Sequence, residues 1–168
     1  MNEKLHDLLF GVRRSVRYHV RRRAWFDGWH TLTAALALVF SSATVMALFK
    51  NAESAALAAG ALVTLLTALD LVIGFAAKAR LHHDLARGFI ELERDMVLAG
   101  ATASVADFTA RRLQLESGEP PVLRVLDVMC HNELVRAMGC PASEQKPIGF
   151  WQRLFAPAFD LQAHTLAN

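Results

Sequence analysis

The chain has 168 residues, of which 54% are hydrophobic and 20% are charged, with a formal net charge of +2 and a mean hydropathy of +0.26. Its apolar residues are concentrated between His30 and Lys78, which favours a membrane protein over a soluble domain with a large core. Only two cysteines occur, Cys130 and Cys140, and they form no CxxC pattern. This composition argues against a disulfide framework and against a zinc centre.

The N-terminal segment, residues 1–27, combines an apolar stripe with a basic face. Leucines and valines recur every three or four positions from Leu5 to Val20, which predicts an amphipathic helix. Its arginines are Arg13, Arg14, Arg17, Arg21, Arg22 and Arg23. We predict that they face anionic lipid headgroups and that Trp25 and Trp29 belong to an interfacial aromatic belt. The alternative is a soluble basic protein that binds nucleic acid through this face.

Residues 28–80 predict a hairpin of two transmembrane helices. Residues 31–49 contain no charge over about 19 positions, close to the ~20 residues that cross a bilayer. Residues 50–54 read as a turn, and the second apolar run, residues 55–77, is interrupted only by Asp70. The many alanines leave a buried hairpin within a soluble bundle as the alternative.

The flanking charges predict the orientation of this hairpin. The arginine block precedes the first span, and Lys78 and Arg80 follow the second, whereas the connecting turn carries a single basic residue, Lys50. By the positive-inside rule both termini lie in the cytoplasm of a bacterial cell, with the hairpin in the inner membrane. The position of the apolar run, far from Met1, predicts no cleavable signal.

The rest of the chain predicts further helices, so the expected fold class is all-α. Within a cytoplasmic region, residues 81–140, apolar residues from Leu81 to Met96 repeat at helical spacing, and Ser104 with Asp107 predicts the start of another helix. A third helix follows Pro121 and ends near Gly139. Residues 141–168 form an aromatic segment and tail, which we expect to dock on the cytoplasmic helices or to enter the membrane interface.

Asp70 is the residue most informative about function, because a carboxylate inside a span costs about 2.5–3.5 kcal/mol and requires a polar neighbour. Steps of three and four residues predict one helix face that also carries Gly60, Thr64, Thr67 and Gly74. The first span has a matching small and polar stripe that includes Ser41 and Thr44. Such faces either pack against each other or line a pore between subunits, where a ring of Asp70 carboxylates favours cations.

No motif for catalysis is found in the sequence. It contains no phosphate-binding glycine loop, nucleophile elbow or HExxH pattern, so we expect neither an enzyme nor a cofactor. His82, His83 and Asp84 are neighbours on a helix and point about 100° apart, which favours an interhelical or solvated role over a metal site. His131, Asn132 and Glu133 are better explained as the polar face of a helix.

The order of these parts resembles a known family. An arginine-rich first helix with Arg21-Arg22-Arg23-Ala24-Trp25-Phe26 precedes the hairpin, and a long helix opens with Lys78-Ala79-Arg80-Leu81-His82-His83. Together with Pro120-Pro121-Val122-Leu123-Arg124, these residues make positions 10–140 similar to the bacterial SLATT proteins. These are two-transmembrane effectors associated with nucleotide-synthesising and nucleotide-sensing conflict systems. The resemblance implies a homo-oligomer that is closed at rest and permeabilises the inner membrane on a trigger.

These patterns lead to two functional hypotheses. The first is a homo-oligomeric pore-forming effector whose trigger is a cytoplasmic sensor protein or a nucleotide signal, and whose other partners are membrane lipids and not nucleic acid. The second is a scaffolding membrane protein that binds a partner through its cytoplasmic helices and the aromatic segment at Phe150 and Trp151. The two differ in whether expression of the protein is toxic.

Overall fold

The computed structural model describes residues 3–42, 53–102 and 104–161. These residues form helices and connecting loops without any strand, which confirms the all-α fold class. The helices are α1 (Glu3–Ser41), α2 (Glu53–Ile73), α3 (Phe75–Ala99), α4 (Val105–Glu116), α5 (Arg124–Ala137) and α6 (Phe150–Phe155), with 3₁₀ turns at Gly100–Thr102 and Ala142–Glu144. The chain divides into a terminal unit, residues 1–22 with 81–168, and a central unit, residues 23–80.

Helix α1 is longer than the sequence pattern predicts. The amphipathic segment was expected to end near residue 27, before a separate span from Thr31, but α1 continues without interruption to Ser41. The segment has no proline, and Gly28 keeps a negative φ, so nothing in the backbone stops the helix. Residues 43–49 of the predicted first span and 50–52 of the predicted turn lie outside the described residues.

A glycine interrupts the second apolar run. Gly74 lies at the boundary between α2 and α3 and has a left-handed φ of 68°. Its amide donates to the carbonyl of Asp70 at 2.9 Å, and its carbonyl accepts from the amide of Lys78 at 3.0 Å. Helical hydrogen bonding therefore continues across a residue whose conformation favours glycine.

The core of the terminal unit joins the start of α1 to α3 and α4. Its buried side chains are Leu5, Leu8, Leu9, Val12, Phe89, Leu92, Met96 and Phe108. Most of these belong to the predicted apolar stripes, but Val20 and Leu81 are exposed. The polar residues His19 and His82 occupy the adjoining buried positions instead.

A second buried cluster in the terminal unit surrounds α5. Val125, Leu126 and Cys130 pack there with Tyr18 and Ala156, and burial raises the pKa of the Cys130 thiol to about 12. The Asp160 carboxylate accepts hydrogen bonds from the first amides of α5, those of Arg124 and Val125, at 2.9 and 3.0 Å. A carboxylate at this end satisfies amides that have no partner within the helix.

The start of α4 follows the sequence prediction closely. The helix begins after Ser104, whose side-chain oxygen accepts a hydrogen bond from the Asp107 amide at 3.3 Å. This contact confirms Ser104 as the N-cap. The expected helix after Pro121 is also present as α5.

Candidate functional site

The Asp70 carboxylate meets a polar partner within the central unit. The Nδ1 atom of His30 in α1 lies 3.1 Å from Asp70 Oδ2 and 3.3 Å from Oδ1. Asp70 is half-buried on α2 and is the one charged residue of that helix after Glu53. The imidazole can donate a hydrogen bond to the carboxylate, which lowers the cost of holding Asp70 in apolar surroundings. The sequence predicted that Asp70 needs such a neighbour but did not identify His30.

The other predicted polar residues of α2 do not all share the surroundings of Asp70. Gly60, Thr64 and Thr67 are exposed, whereas Asp70 and Gly74 are half-buried. The Thr64 hydroxyl donates to the carbonyl of Gly60 at 2.9 Å, and the Thr67 hydroxyl donates to that of Val63, also at 2.9 Å. Both hydroxyls are satisfied within their own helix, so they form an exposed, weakly polar strip beside Asp70.

The first span has two candidate residues, Ser41 and Thr44. Ser41 is exposed at the last position of α1, and Thr44 lies outside the described residues. Thr33, which precedes them on α1, is buried and its hydroxyl donates to the carbonyls of Trp29 and His30. Whether these residues line a water-filled path stays a prediction.

Aromatic residues cluster at the end of the central unit where the interfacial belt was expected. The rings of Trp29 and Phe75 are stacked with centroids 6.3 Å apart, and Trp25 contacts Phe26 edge-on at 4.9 Å. The Lys78 ammonium lies 5.8 Å from the centroid of the Phe26 ring, within the range of a cation–π contact. Arg23 pairs with Asp27 at 3.2 Å, and Arg80 is exposed.

The remaining arginines of α1 contact the protein itself. Arg13 pairs with Glu93 at 2.7 Å and Arg14 with Asp127 at 3.1 Å, while Arg21 pairs with Glu133. Arg17 donates to the carbonyl of Arg13, and Arg22 to that of Pro157. These guanidinium groups hold α1 against α3 and α5 within the terminal unit, and their predicted contact with lipid headgroups stays a prediction.

Two buried histidines form a polar chain inside the terminal unit. The Nδ1 atoms of His19 and His82 are 2.9 Å apart, and His19 Nε2 lies 3.0 Å from the Glu119 carboxylate. His19 and His82 are 0% and 2% exposed, and the His19 ring stacks on Phe89 with centroids 5.6 Å apart. The helical pattern predicted an interhelical or solvated role for His82, and the structure shows an interhelical one.

The carboxylate determines the direction of this hydrogen-bonded chain. His19 Nε2–H donates to Glu119, so in a neutral imidazole the Nδ1 atom of His19 must accept. The Nδ1–H of His82 is then the donor. Burial, followed by the charges of His19 and Arg22, lowers the pKa of His82 to about 4. The His82 imidazole is therefore neutral at neutral pH.

One stretch of the described residues, Ala56–Ala99, is long and apolar enough to cross a membrane. Only 6% of its apolar window is buried, unlike the core helix of a soluble protein. These properties are compatible with a membrane location. In the described residues, no group of three or more His, Cys, Asp or Glu side chains is close enough to hold a metal ion.

Comparison with protein-family models, curated proteins and solved structures finds no match to this chain. Its function must therefore be inferred from the residues themselves. Sequence reasoning missed His19, His30 and Glu119 as members of polar sites. Of these three residues, only His30 had a signal in the sequence: it is a polar residue directly before the apolar run of residues 31–49, four residues after Phe26.

We expect acid to destabilise the terminal unit through His82. Since the folded protein keeps His82 neutral down to about pH 4, the unfolded chain binds more protons between about pH 6.5 and that value. The free energy of unfolding should therefore fall by up to about 3 kcal/mol as the pH is lowered through this window. Thermal unfolding of the full chain in detergent, measured by circular dichroism at several pH values, checks this.

The matched variants for this measurement are His82→Gln and the exposed neighbour His83→Gln. The pH dependence should be shallower in His82→Gln because its titrating group is gone. His83→Gln should keep the slope of the unmodified protein. Equal slopes in all three proteins would show that His82 does not carry the effect.

Proposed function

We propose that this chain is a two-span effector of the bacterial inner membrane, with both termini in the cytoplasm, that oligomerises with itself and forms a pore on a trigger. It would act in a defence or conflict system that permeabilises the cell's own membrane. The observation that carries the proposal is a polar pair, Asp70 with His30, within helices whose outer surface is apolar and uncovered. The resemblance to SLATT proteins points in the same direction.

The exposed apolar surface of the central unit supports membrane insertion. Leu57, Leu71 and Val72 are 76%, 83% and 83% exposed. Apolar surface left in water costs roughly 25 cal/mol per Å², and lipid removes that cost over the whole helix. A lipid environment therefore accounts for large apolar side chains that no other described residue covers.

The exposed strip of Gly60, Thr64 and Thr67 supports contact between copies of the chain. Small residues let helix backbones approach closely, which is how transmembrane helices associate in the absence of a hydrophobic driving force. A neighbouring copy packed on this strip would lie beside Asp70. In a ring of such copies the carboxylates would attract cations, as acidic rings do in cation channels.

The contact between His30 and Asp70 defines the closed state of the proposed pore. In the single chain its imidazole engages the Asp70 carboxylate, so the charge is not presented freely. We propose that the pair is intact in the closed form and that opening turns Asp70 towards the water-filled path. In this proposal a change in packing between copies of the chain separates His30 from Asp70. Both residues belong to the central unit, which carries the proposed contacts between copies.

The partners we propose are membrane lipids, further copies of the chain, and a sensor protein or nucleotide that supplies the trigger. Nucleic acid is not among them. Arg13, Arg14 and Arg21, which a nucleic-acid surface would need free, are paired with carboxylates of the terminal unit. We propose no catalytic activity and no cofactor.

A second candidate function is a membrane anchor that binds a partner protein through α6. Its aromatic side chains do not dock on the described cytoplasmic helices: Phe150 is 73% exposed and Trp151 is 62% exposed. Trp151, Phe155 and Phe159 stack in succession, with centroids 6.4 and 5.2 Å apart. Exposed aromatic surface of this kind is characteristic of interaction sites.

Ion flux from liposomes that contain the purified protein separates the two functions. The effector hypothesis predicts little release of a trapped monovalent cation from the resting protein and, once the trigger is supplied, release in proportion to the amount of oligomer, which chemical cross-linking quantifies in the same sample. Oligomers without flux, before and after addition of cell extract from a triggered culture, would contradict the pore and favour the anchor. Expression in cells should be toxic for a pore and harmless for an anchor.

A further inference from the structure

A cavity of about 690 Å³ in the terminal unit is lined by neither the Asp70–His30 pair nor the His19–His82 chain. It is bounded by α5, by the loop that follows α5, and by residues of α1 and α6. Cavities of about 300–1,000 Å³ commonly hold small organic ligands. This volume is therefore suited to a small molecule and is larger than a single inorganic ion needs.

The wall of the cavity is strongly basic. Arg21, Arg136, Lys146 and Arg153 line it, and Glu133 is the only carboxylate among its lining residues. Glu133 already pairs with Arg21. Among the described residues, no salt bridge includes Arg136, Lys146 or Arg153, so the wall of the cavity carries more positive than negative charge. Cations in this arrangement attract an anionic ligand.

A buried amide fixes the position of the loop that carries Lys146. Asn132 is 8% exposed, and its side chain donates to the Lys146 carbonyl at 2.7 Å and accepts from the Lys146 amide at 2.9 Å. His131 makes a further contact, of 3.2 Å, with the carbonyl of Glu144. The loop is thus held to α5 at two points, which reduces the ordering that a ligand would otherwise have to impose.

The cavity also has an apolar wall. Met129, Pro147 and Ile148 line it beside the basic groups. A purely inorganic anion would gain nothing from these side chains, whereas an organic group attached to the anion would remove their surface from water. The lining therefore matches a ligand with a charged end and an apolar or aromatic body.

We propose that this cavity binds an organic phosphate, with the phosphate oxygens at Arg136, Lys146 and Arg153 and the organic part against Met129 and Ile148. The arginine fork matches phosphate geometry, and three cations suit a ligand with two or more negative charges. Both a soluble nucleoside diphosphate and a phospholipid headgroup have this chemistry. The site is independent of whether the central unit conducts ions.

Binding to the full chain in neutral-detergent micelles tests the proposal. The probes are inorganic pyrophosphate, adenosine diphosphate and a short-chain phosphatidylglycerol, each titrated by calorimetry at low and high salt. The double variant Arg136→Gln/Arg153→Gln should weaken binding of the preferred probe by at least about tenfold. Both side chains are exposed, so the helical circular dichroism spectrum should not change.

The control is Arg87→Gln, which removes an exposed arginine of the same unit that lies away from the cavity and pairs with Glu91. It should change the affinity by less than about twofold. Binding of adenosine diphosphate more tightly than pyrophosphate indicates a soluble ligand that uses the apolar wall. Binding of phosphatidylglycerol alone indicates a lipid headgroup. Absence of binding for all three probes, or binding that the double variant leaves unchanged, would overturn the proposal.

Discussion

Replacing Asp70 by alanine is expected to abolish the triggered cation flux through liposomes while leaving the protein in the membrane. The substitution removes a charge that costs about 2.5–3.5 kcal/mol within a span, so insertion should become more favourable. Flux should nevertheless fall, because the proposed path loses the carboxylates that attract cations. The measurement compares flux at matched protein incorporation, and toxicity on expression should fall in parallel.

Two further variants separate charge from packing. Asp70→Asn keeps the shape of the side chain and its capacity to bond His30 but removes the charge, so it should resemble Asp70→Ala in flux. Val72→Ala alters an exposed apolar side chain of the same helix and should conduct like the unmodified protein. Unchanged flux in Asp70→Ala would remove this residue from the mechanism. Loss of flux in Asp70→Ala with full flux in Asp70→Asn would assign Asp70 a packing role.

Replacing Phe89 by alanine is expected to have the largest effect on the stability of the terminal unit. Phe89 is 0% exposed; it belongs to the same buried cluster as Val12 of α1, and its ring stacks on that of His19, also in α1. Removing a buried phenylalanine side chain costs about 3–5 kcal/mol, because apolar contacts are lost and a cavity is left. Urea unfolding of the full chain in mild detergent, followed by circular dichroism, measures the loss.

Ile90→Ala is the matched control for this substitution. Ile90 follows Phe89 directly but is 49% exposed, so its replacement should change the free energy of unfolding by less than about 1 kcal/mol. The contrast tests the orientation of α3 in the terminal unit. Similar losses for the two variants would mean that the buried face of α3 is assigned wrongly.

The sequence is most informative where a local pattern determines the structure. Ser104 with Asp107 identifies the start of α4, because capping involves residues only three positions apart. The apolar repeat at Leu85, Phe89, Leu92 and Met96 likewise identifies the buried face of α3. The repeat fails at Leu81, which is exposed, because the next position on that face is taken by His82 in its bond to His19.

Contacts between distant parts of the chain were beyond what such patterns reveal. Arg21 and Glu133 are 112 positions apart, and Arg13 and Glu93 are 80 apart. A local cluster of arginines beside an apolar run fits lipid headgroups and acidic helices equally well, since only tertiary packing decides which of them is near. For the same reason Asp70 indicated the need for a polar partner without identifying His30.

The extent of α1 shows a further limit. A change from basic to apolar composition near Trp29 suggested two elements, but composition alone does not end a helix. Helices end at prolines, at left-handed glycines or where capping groups are available. Gly74 has a left-handed φ at the boundary between α2 and α3, whereas Gly28 does not and α1 continues past it.

The most direct test of a two-span effector is the membrane topology of the full chain in bacterial cells. Reporter domains would be placed at the N-terminus, at the C-terminus and within residues 50–54, with resistance of the membrane fraction to alkaline extraction measured alongside. A two-span effector requires both termini in the cytoplasm, the inserted reporter on the opposite side, and a protein that resists extraction. A protein released by alkali, or termini on opposite sides of the membrane, would contradict the two-span arrangement and the pore built on it.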